Sequence, residues 1–172
     1  MGLFRKDKEE KQFNAEEITS KERLNHGWLR CVFIIEIMGR PSKYISDAMK
    51  LVLKGFSKEK GVEVLKHKIH KPKRVFLKGE KPDKKQKMRE LFSTFSEIEF
   101  LVESMGRLTE LTFDFMPSSV EILEPQILKL EMNAAKNIIN DIATKLHKND
   151  AVVKTLYAQN LNLKKELEEL KK

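Results

Sequence analysis

The sequence lacks several features on which catalytic, secreted and membrane proteins depend. It holds a single cysteine, Cys31, which excludes an internal disulfide and a zinc site built from several cysteines. The glycines stand far apart, so the Gly-rich loop that cradles phosphates is missing. The longest apolar run extends from Leu29 to Met38, is interrupted by charges, and is shorter than the roughly 20 residues that span a bilayer.

The first residues also lack a targeting signal. The start MGLFRKDKEEKQF has no apolar core, and Lys6 stands where N-myristoylation requires Ser or Thr. We therefore expect a cytoplasmic protein without a membrane partner. Residues 1–27 are charged and carry few bulky apolar side chains, which predicts a flexible leader or a short helix.

No pattern of residues indicates catalysis, a cofactor or a metal. Cys31 alternates with Phe33 along an apolar segment, which predicts a buried structural thiol. His67 and His70 are three residues apart on a predicted strand and so point to opposite faces, unlike a pair of metal ligands. We predict a protein that is not an enzyme and uses no cofactor.

Positive charge is concentrated in one segment, Lys66 to Arg89, which contains eleven Lys or Arg and two acids. Its net charge of +9 exceeds the +8 of the whole chain, so the rest is nearly neutral. A loop of this length is uncommon unless it has a function or is disordered. It is either a grip for a polyanion or a solvated loop that keeps a sheet edge soluble. The residues predicted to bind a polyanion are Lys71, Lys73, Arg74, Lys78, Lys81, Lys84, Lys85, Lys87 and Arg89.

The order of predicted elements is β-α-β-β-α-β, which is typical of an α+β, ferredoxin-like sandwich. Apolar alternation predicts a first strand before Gly39, and Ser42 is the expected N-cap of the first helix. Ser104 is expected to cap the second helix, which Pro117 ends. The predicted domains are a leader at 1–27, a ferredoxin-like domain at 28–130 with the basic loop 66–89, and a helix at 131–172.

Strand alternation divides the predicted sheet into two faces. The apolar side chains expected to face the helices are Phe33, Ile35, Ile37, Val62, Val64, Ile98, Phe100, Val120 and Ile122. The same alternation sends Glu36, Glu63, Glu97, Glu99 and Glu121 to the opposite face. We therefore expect an open acidic face, which disfavours RNA binding through the sheet and suits a protein partner.

The C-terminal segment repeats apolar residues at alternating steps of three and four from Met132 to Leu170. This heptad pattern predicts a long coiled-coil helix, and Asn160 at an a position favours a parallel homodimer. The alternative interpretation of this pattern is that the first turns of the helix pack on the domain and the last turns form a solvated single helix. The predicted dimerisation residues are Ile142, Leu146, Val153, Leu156, Asn160, Leu163, Leu167 and Leu170.

Two resemblances follow from these segments. GRPSKYISDAM after the first strand is similar to the turn of ACT-type ligand-sensing domains, which share the ferredoxin-like fold. Gly39, Arg40, Pro41 and Ser42 occupy that turn but lack its acidic or amide residue and its final glycine. The layout of MGRP, FMPSSVEILEP and a heptad tail also resembles a set of small uncharacterised archaeal proteins over about residues 28–172, a likeness that implies no function.

Three hypotheses remain from the sequence. The first is a non-enzymatic dimeric adaptor whose basic loop contacts the backbone of RNA, ribosome or DNA. The second is an ACT-like regulatory dimer that senses a small molecule. The third is a scaffold whose heptad helix pairs with another protein.

Overall fold

The computed structural model describes residues 20–75 and 91–170. The strands are β1 (Leu29–Gly39), β2 (Val62–Ile69), β3 (Lys73–Val75), β4 (Leu91–Val102) and β5 (Ser119–Glu124). The helices are α1 (Ser42–Phe56), α2 (Met105–Phe115) and α3 (Met132–Glu169), and residues 20–25 are also helical. The chain divides into two compact units, one ending at Leu128 and one beginning at Lys129.

The five strands form one antiparallel sheet in the order β2-β4-β1-β5, with β3 also paired to β4. The predicted α+β class with a ferredoxin-like order and a long C-terminal helix is confirmed. Strand β3 was not predicted; it lies inside the basic segment, and its Lys73 pairs with Ser93. Its three residues are too few to show a hydrophobic period of their own.

The core lies between the sheet and the helices of the first unit. The α1 residues Ile45, Met49, Leu53 and Phe56 are buried at steps of three and four, so they form one helical stripe. Phe56 lies at the centre of an aromatic cluster, with ring centroids 4.9 Å from Phe100 and 4.9 Å from Phe115 in edge-to-face geometry. This packing fixes α1 against the sheet.

The helix ends differ in how their backbone groups are satisfied. Ser104 caps α2 as predicted, since its Oγ accepts a hydrogen bond from the Arg107 backbone N–H at 3.1 Å. Ser42 is the first residue of α1 and not its N-cap, so that prediction is wrong by one position. Pro41 takes the extended cap conformation, which its fixed φ favours, and no side chain caps this end.

The helix-facing side of β5 is only partly covered. Val120 and Ile122 pair with Phe33 and Cys31, so they lie on the predicted face. They are nevertheless 39% and 43% exposed. The reason is topological, because β5 lies at the edge beside β1, whereas the helices pack on β1 and β4.

Candidate functional site

A β-bulge in β2 determines which way the basic segment points. The register of β2 against β4 shifts between Val64 and Lys66, so Leu65 is an extra residue. Before the bulge Val64 faces the helices, and after it Lys66 and Lys68 face the open side of the sheet. An unbroken alternation would have sent these two lysines toward the helices. The side chains turned toward the helices instead are His67 and Ile69.

The bulge changes the charge of the open face. Lys66 and Lys68 lie directly opposite Glu99 and Glu97 of β4. The predicted glutamates do occupy this face, but the prediction of an acidic surface is wrong because it left out the lysines. Charges of both signs therefore surround a depression of about 400 Å³ on this face, with Glu121 on its far side.

Glu99 is the centre of an ion network on the open face. Glu99 is only 6% exposed, and its carboxylate accepts a hydrogen bond from Arg30 Nε at 2.8 Å. Lys66 Nζ lies 2.6 Å from the other carboxylate oxygen of Glu99, and Arg30 also reaches Glu124 at 3.2 Å. This buried charge is paired on both oxygens, as a carboxylate shielded from water must be to avoid a large desolvation cost.

The network changes the pKa of Glu99 and the pKa of Arg30. Burial acts to raise the pKa of Glu99, but the hydrogen bonds and charges of Lys66 and Arg30 outweigh it and hold that pKa below its ordinary value. The hydrogen bond to Glu99 raises the pKa of Arg30. Glu99 is therefore a fixed negative charge that ties β1, β2 and β4 together, and it does not resemble a catalytic acid.

His70 anchors the start of the basic segment to β4. Its ring stacks on Phe95 with the centroids 4.0 Å apart and the planes 14° from parallel. His70 Nε2 lies 2.7 Å from Glu97 Oε1, and the His70 backbone N–H donates to the Phe95 carbonyl at 2.9 Å. Thr94 Oγ1 closes the arrangement by donating to the His70 carbonyl at 2.6 Å. These contacts hold the chain against β4 between β2 and β3.

Three residues predicted to bind a polyanion are described by the structure, namely Lys71, Lys73 and Arg74, and all three are exposed. Lys73 lies opposite Ser93, which places it on the same face as Lys66 and Lys68. These lysines line one side of β4, and alternate residues of a strand are roughly 6.6 Å apart. The predicted residues outside the described ranges are Lys78, Lys81, Lys84, Lys85, Lys87 and Arg89.

The residues predicted for dimerisation lie on α3, except Leu170, which directly follows the helix. The helix α3 is 38 residues long, and none of its residues is buried. The seam is unbroken by proline or glycine, and Leu163 at its d position is 59% exposed. All the predicted residues belong to the described part of the chain. They are Ile142, Leu146, Val153, Leu156, Asn160, Leu163, Leu167 and Leu170.

The remaining reactive groups lie apart from these surfaces. Cys31 is fully buried, and burial raises the pKa of its thiol to about 12, which leaves little thiolate at neutral pH. His67 and His70 do lie on opposite faces of the sheet, and in the ranges 20–75 and 91–170 no three His, Cys, Asp or Glu side chains gather as metal ligands would.

Among the described residues, no helix combines the length and the apolar composition that a membrane span requires.

Comparison with known proteins identifies the family of this chain. No curated protein matches the sequence. A family model described as the MJ0538 family matches residues 30–172, which include all the strands except the first residue of β1, every labelled helix and the whole basic segment. This match covers most of the sequence, and the protein therefore belongs to the MJ0538 family.

Proposed function

We propose that this protein is a non-enzymatic, cytoplasmic adaptor that forms a homodimer through α3 and holds the phosphate backbone of RNA, ribosome or DNA with the segment from Lys66 to Arg89. The observation that carries most weight is the uncovered seam of α3. The polyanion part rests on the exposed lysines of the segment, of which Lys68 and Lys73 lie on the open face of the sheet.

The dimer follows from the cost of leaving α3 alone in water. Burial of one large aliphatic side chain stabilises a structure by roughly 1.5–3 kcal/mol, and the seam repeats such residues over the whole helix. Several of them together outweigh an association cost of roughly 4–15 kcal/mol. The partner helix that fits this seam best is α3 of a second copy of the chain. Asn160 at an a position pairs with its own counterpart only when two parallel helices are in register.

The dimer is tested by measuring the molar mass of the full chain by light scattering over a dilution series. We expect about twice 20.1 kDa for the parent protein. Changing Leu156 and Leu163 to Glu places charges at two d positions and should give the monomer mass. The matched control changes Ala158 and Asn162 to Glu, which adds the same charge outside the seam. A parent that is monomeric at every concentration contradicts the proposal and favours a seam for another protein.

The polyanion grip follows from the distribution of charge and partners. Lys68, Lys71 and Lys73 make no ion pair with another residue in the described ranges, and each is exposed. Exposed lysines in a row suit the regularly spaced phosphates of a nucleic acid strand, which they bind without reading bases. Two copies of the segment in one dimer would add avidity to a weak single contact.

The grip is tested by binding mixed cellular RNA and duplex DNA over a salt series. We expect affinity to fall steeply with salt, with about 0.7–0.9 in the logarithmic slope for each phosphate contact. The variant changes Lys71, Lys73, Arg74, Lys84, Lys85 and Lys87 to Gln. The control removes six charges elsewhere, at Lys43, Lys58, Lys60, Lys136, Lys148 and Lys165. Equal slopes for the variant and the control contradict the grip, and the sensing hypothesis would then be examined by thermal shift with small molecules.

A further inference from the structure

A groove lies between α1 and β2, on the side of the sheet opposite the Glu99 network. Its volume is about 320 Å³, at the lower end of the roughly 300–1,000 Å³ typical of ligand pockets. It therefore suits a metabolite-sized molecule and not a long lipid or a peptide. The residues that line it are Lys50, Leu53, Lys54, Ser57, Val64, His67 and Ile69.

The groove is formed by one stripe of α1 and by the bulge in β2. Lys50, Leu53 and Lys54 of α1 and Ser57, which follows the last residue of α1, are spaced by three, one and three, which places them on one side of the helix. The bulge in β2 supplies the opposite wall by turning His67 and Ile69 toward the helices. Since β2 borders β4 on one side only, no further described strand closes the groove beyond it.

The floor and the rim of the groove differ in character. The floor is apolar, with Leu53 and Val64 partly or fully withdrawn from water and Ile69 37% exposed. The rim carries the cationic groups of Lys50 and Lys54 together with the imidazole of His67. No carboxylate is among the lining residues, so the charge of the groove is positive.

The two lysines of the rim are exposed and weakly held, so they can contact a ligand. Lys50 pairs with Asp47 at 3.2 Å, but both side chains are more than half exposed, and such pairs contribute little and exchange readily. Lys54 makes no ion pair with any residue of the described ranges. A bound anion would therefore compete with water and one weak surface pair.

We propose that this groove binds a small organic anion with an apolar body, such as a short aliphatic or aromatic monocarboxylate. The carboxylate meets Lys50 and Lys54, and the hydrocarbon part covers Leu53, Val64 and Ile69. Charge selects the anion, whereas the apolar floor excludes fully hydrated ions such as inorganic phosphate. The inference depends on neither the α3 dimer nor the polyanion grip, since it concerns one unit of a single chain.

The proposal is tested with the full chain carrying labelled methyl groups, titrated with hexanoate and separately with 1-hexanol. Saturable NMR shifts are expected at the methyls of Leu53, Val64 and Ile69, with none at the methyls of Val120, because β4 and β1 lie between β5 and β2 in the sheet. Hexanoate should bind at least about tenfold more tightly than hexanol, because only hexanoate offers a charge to the rim. Equal affinities for the two probes, or shifts spread over the whole chain, would overturn the proposal.

A pair of variants separates the rim from the general charge of the protein. Changing Lys50 and Lys54 to Gln should weaken hexanoate binding about tenfold or more and leave hexanol unchanged. Changing Lys43 and Lys58 to Gln removes the same charge from α1 and its C-terminal flank and should have no such effect. All four lysines are exposed, so both variants should fold, which the parent-like methyl spectrum checks. Equal weakening in both variants would show non-specific attraction and overturn the assignment.

Discussion

The first unit and α3 use apolar residues in opposite ways. In the first unit they lie inside, and Phe33, Phe56 and Phe100 are completely buried. In α3 no residue is buried, and most of the large apolar side chains of the seam are exposed. The first unit is stabilised by contacts of its own, whereas the apolar side chains of α3 would be stabilised by burial only if a partner covered them. An apolar pattern therefore reports either a core or an interface, and burial within one chain distinguishes them.

Charges differ between the two regions in the same way. In the first unit, Arg107 bonds Glu59 and Glu110 and also reaches the Lys60 carbonyl, and its side chain is largely buried. On α3, Lys154 pairs with Asp150 one turn away, and both side chains are more than half exposed. Surface pairs of this kind contribute roughly 0.2–1 kcal/mol, so this pair adds little to the stability of α3.

The largest expected effect comes from removing the aromatic centre of the first unit. Changing Phe56 to Ala should lower the free energy of unfolding by about 3–5 kcal/mol, since it leaves a cavity among Phe33, Phe100 and Phe115. Denaturant titration followed by the fluorescence of Trp28, the single tryptophan, measures this loss. The self-association of α3 should be unaffected, because no residue of its seam belongs to this core.

The buried thiol gives a second measurement of the same change. Cys31 should react with a thiol reagent only when the first unit opens, and Phe56→Ala should therefore accelerate labelling about a hundredfold or more. Leu51→Ala is the control, since Leu51 is 70% exposed on the same helix and should change stability by no more than about 0.5 kcal/mol. Fast labelling in the parent protein would show that the core is not closed as described.

A smaller effect is expected at the Glu99 network. Changing Glu99 to Gln removes the charge that Arg30 and Lys66 share and should cost about 1–3 kcal/mol. The lower half of this range is favoured, because Arg30 and Lys66 are 36% and 74% exposed and their charges are screened by solvent. Glu121→Gln, an exposed neutralisation on the same face, should leave the stability within about 0.5 kcal/mol of the parent.

The cost of Glu99→Gln should depend on pH. The folded protein holds the pKa of Glu99 below the ordinary value of about 4.3, so the unfolded chain takes up this proton more readily. The stabilisation is therefore complete above about pH 4.3 and is lost as the pH falls through the lower, folded-state pKa. The difference between parent and variant should shrink below about pH 4. A difference that grows in acid would show that the pKa is raised.

Much of the first unit could be predicted from the sequence, and the exceptions have physical reasons. The alternation in β1 and the Ser104 cap are local signals, which the structure reproduces. The bulge at Leu65 is not local, since it is defined by pairing with β4, and it reversed the faces of Lys66 and Lys68. A slip of one residue in a strand exchanges its two faces, so one undetected bulge changed the predicted charge of a surface.

The candidate sites were predictable to different degrees. The seam of α3 could be found because a heptad repeats over many turns, and the basic segment because its charge is local. The groove beneath α1 could not, since Lys50 and His67 are brought together only by the crossover and by the bulge. Sites made from one element are visible in a sequence, and sites made from two elements need the fold.

The smallest expected effects lie at two helix N-termini that differ in capping. Changing Ser104 to Ala removes the hydrogen bond to the Arg107 N–H and should cost the first unit about 1 kcal/mol. The same denaturant titration measures it, with Ser118→Ala as a comparison because Ser118 donates only to the Ile34 carbonyl at a strand end. A Ser104→Ala cost no larger than that of Ser118→Ala would show that the α2 cap contributes little.

The N-terminus of α3 has no side-chain cap, so a substitution there can add one. Glu131 precedes α3 in an extended conformation, and its side chain makes no cap hydrogen bond. Changing Glu131 to Asp keeps the negative charge that favours a helix N-terminus but provides the shorter carboxylate that caps well. We expect a gain of about 0.5–1 kcal/mol in the thermal unfolding of α3, followed by circular dichroism, with no change in the unfolding of the first unit. A gain seen equally in both transitions would show that the two units unfold together, because only coupled unfolding lets a cap on α3 stabilise the core around Phe56.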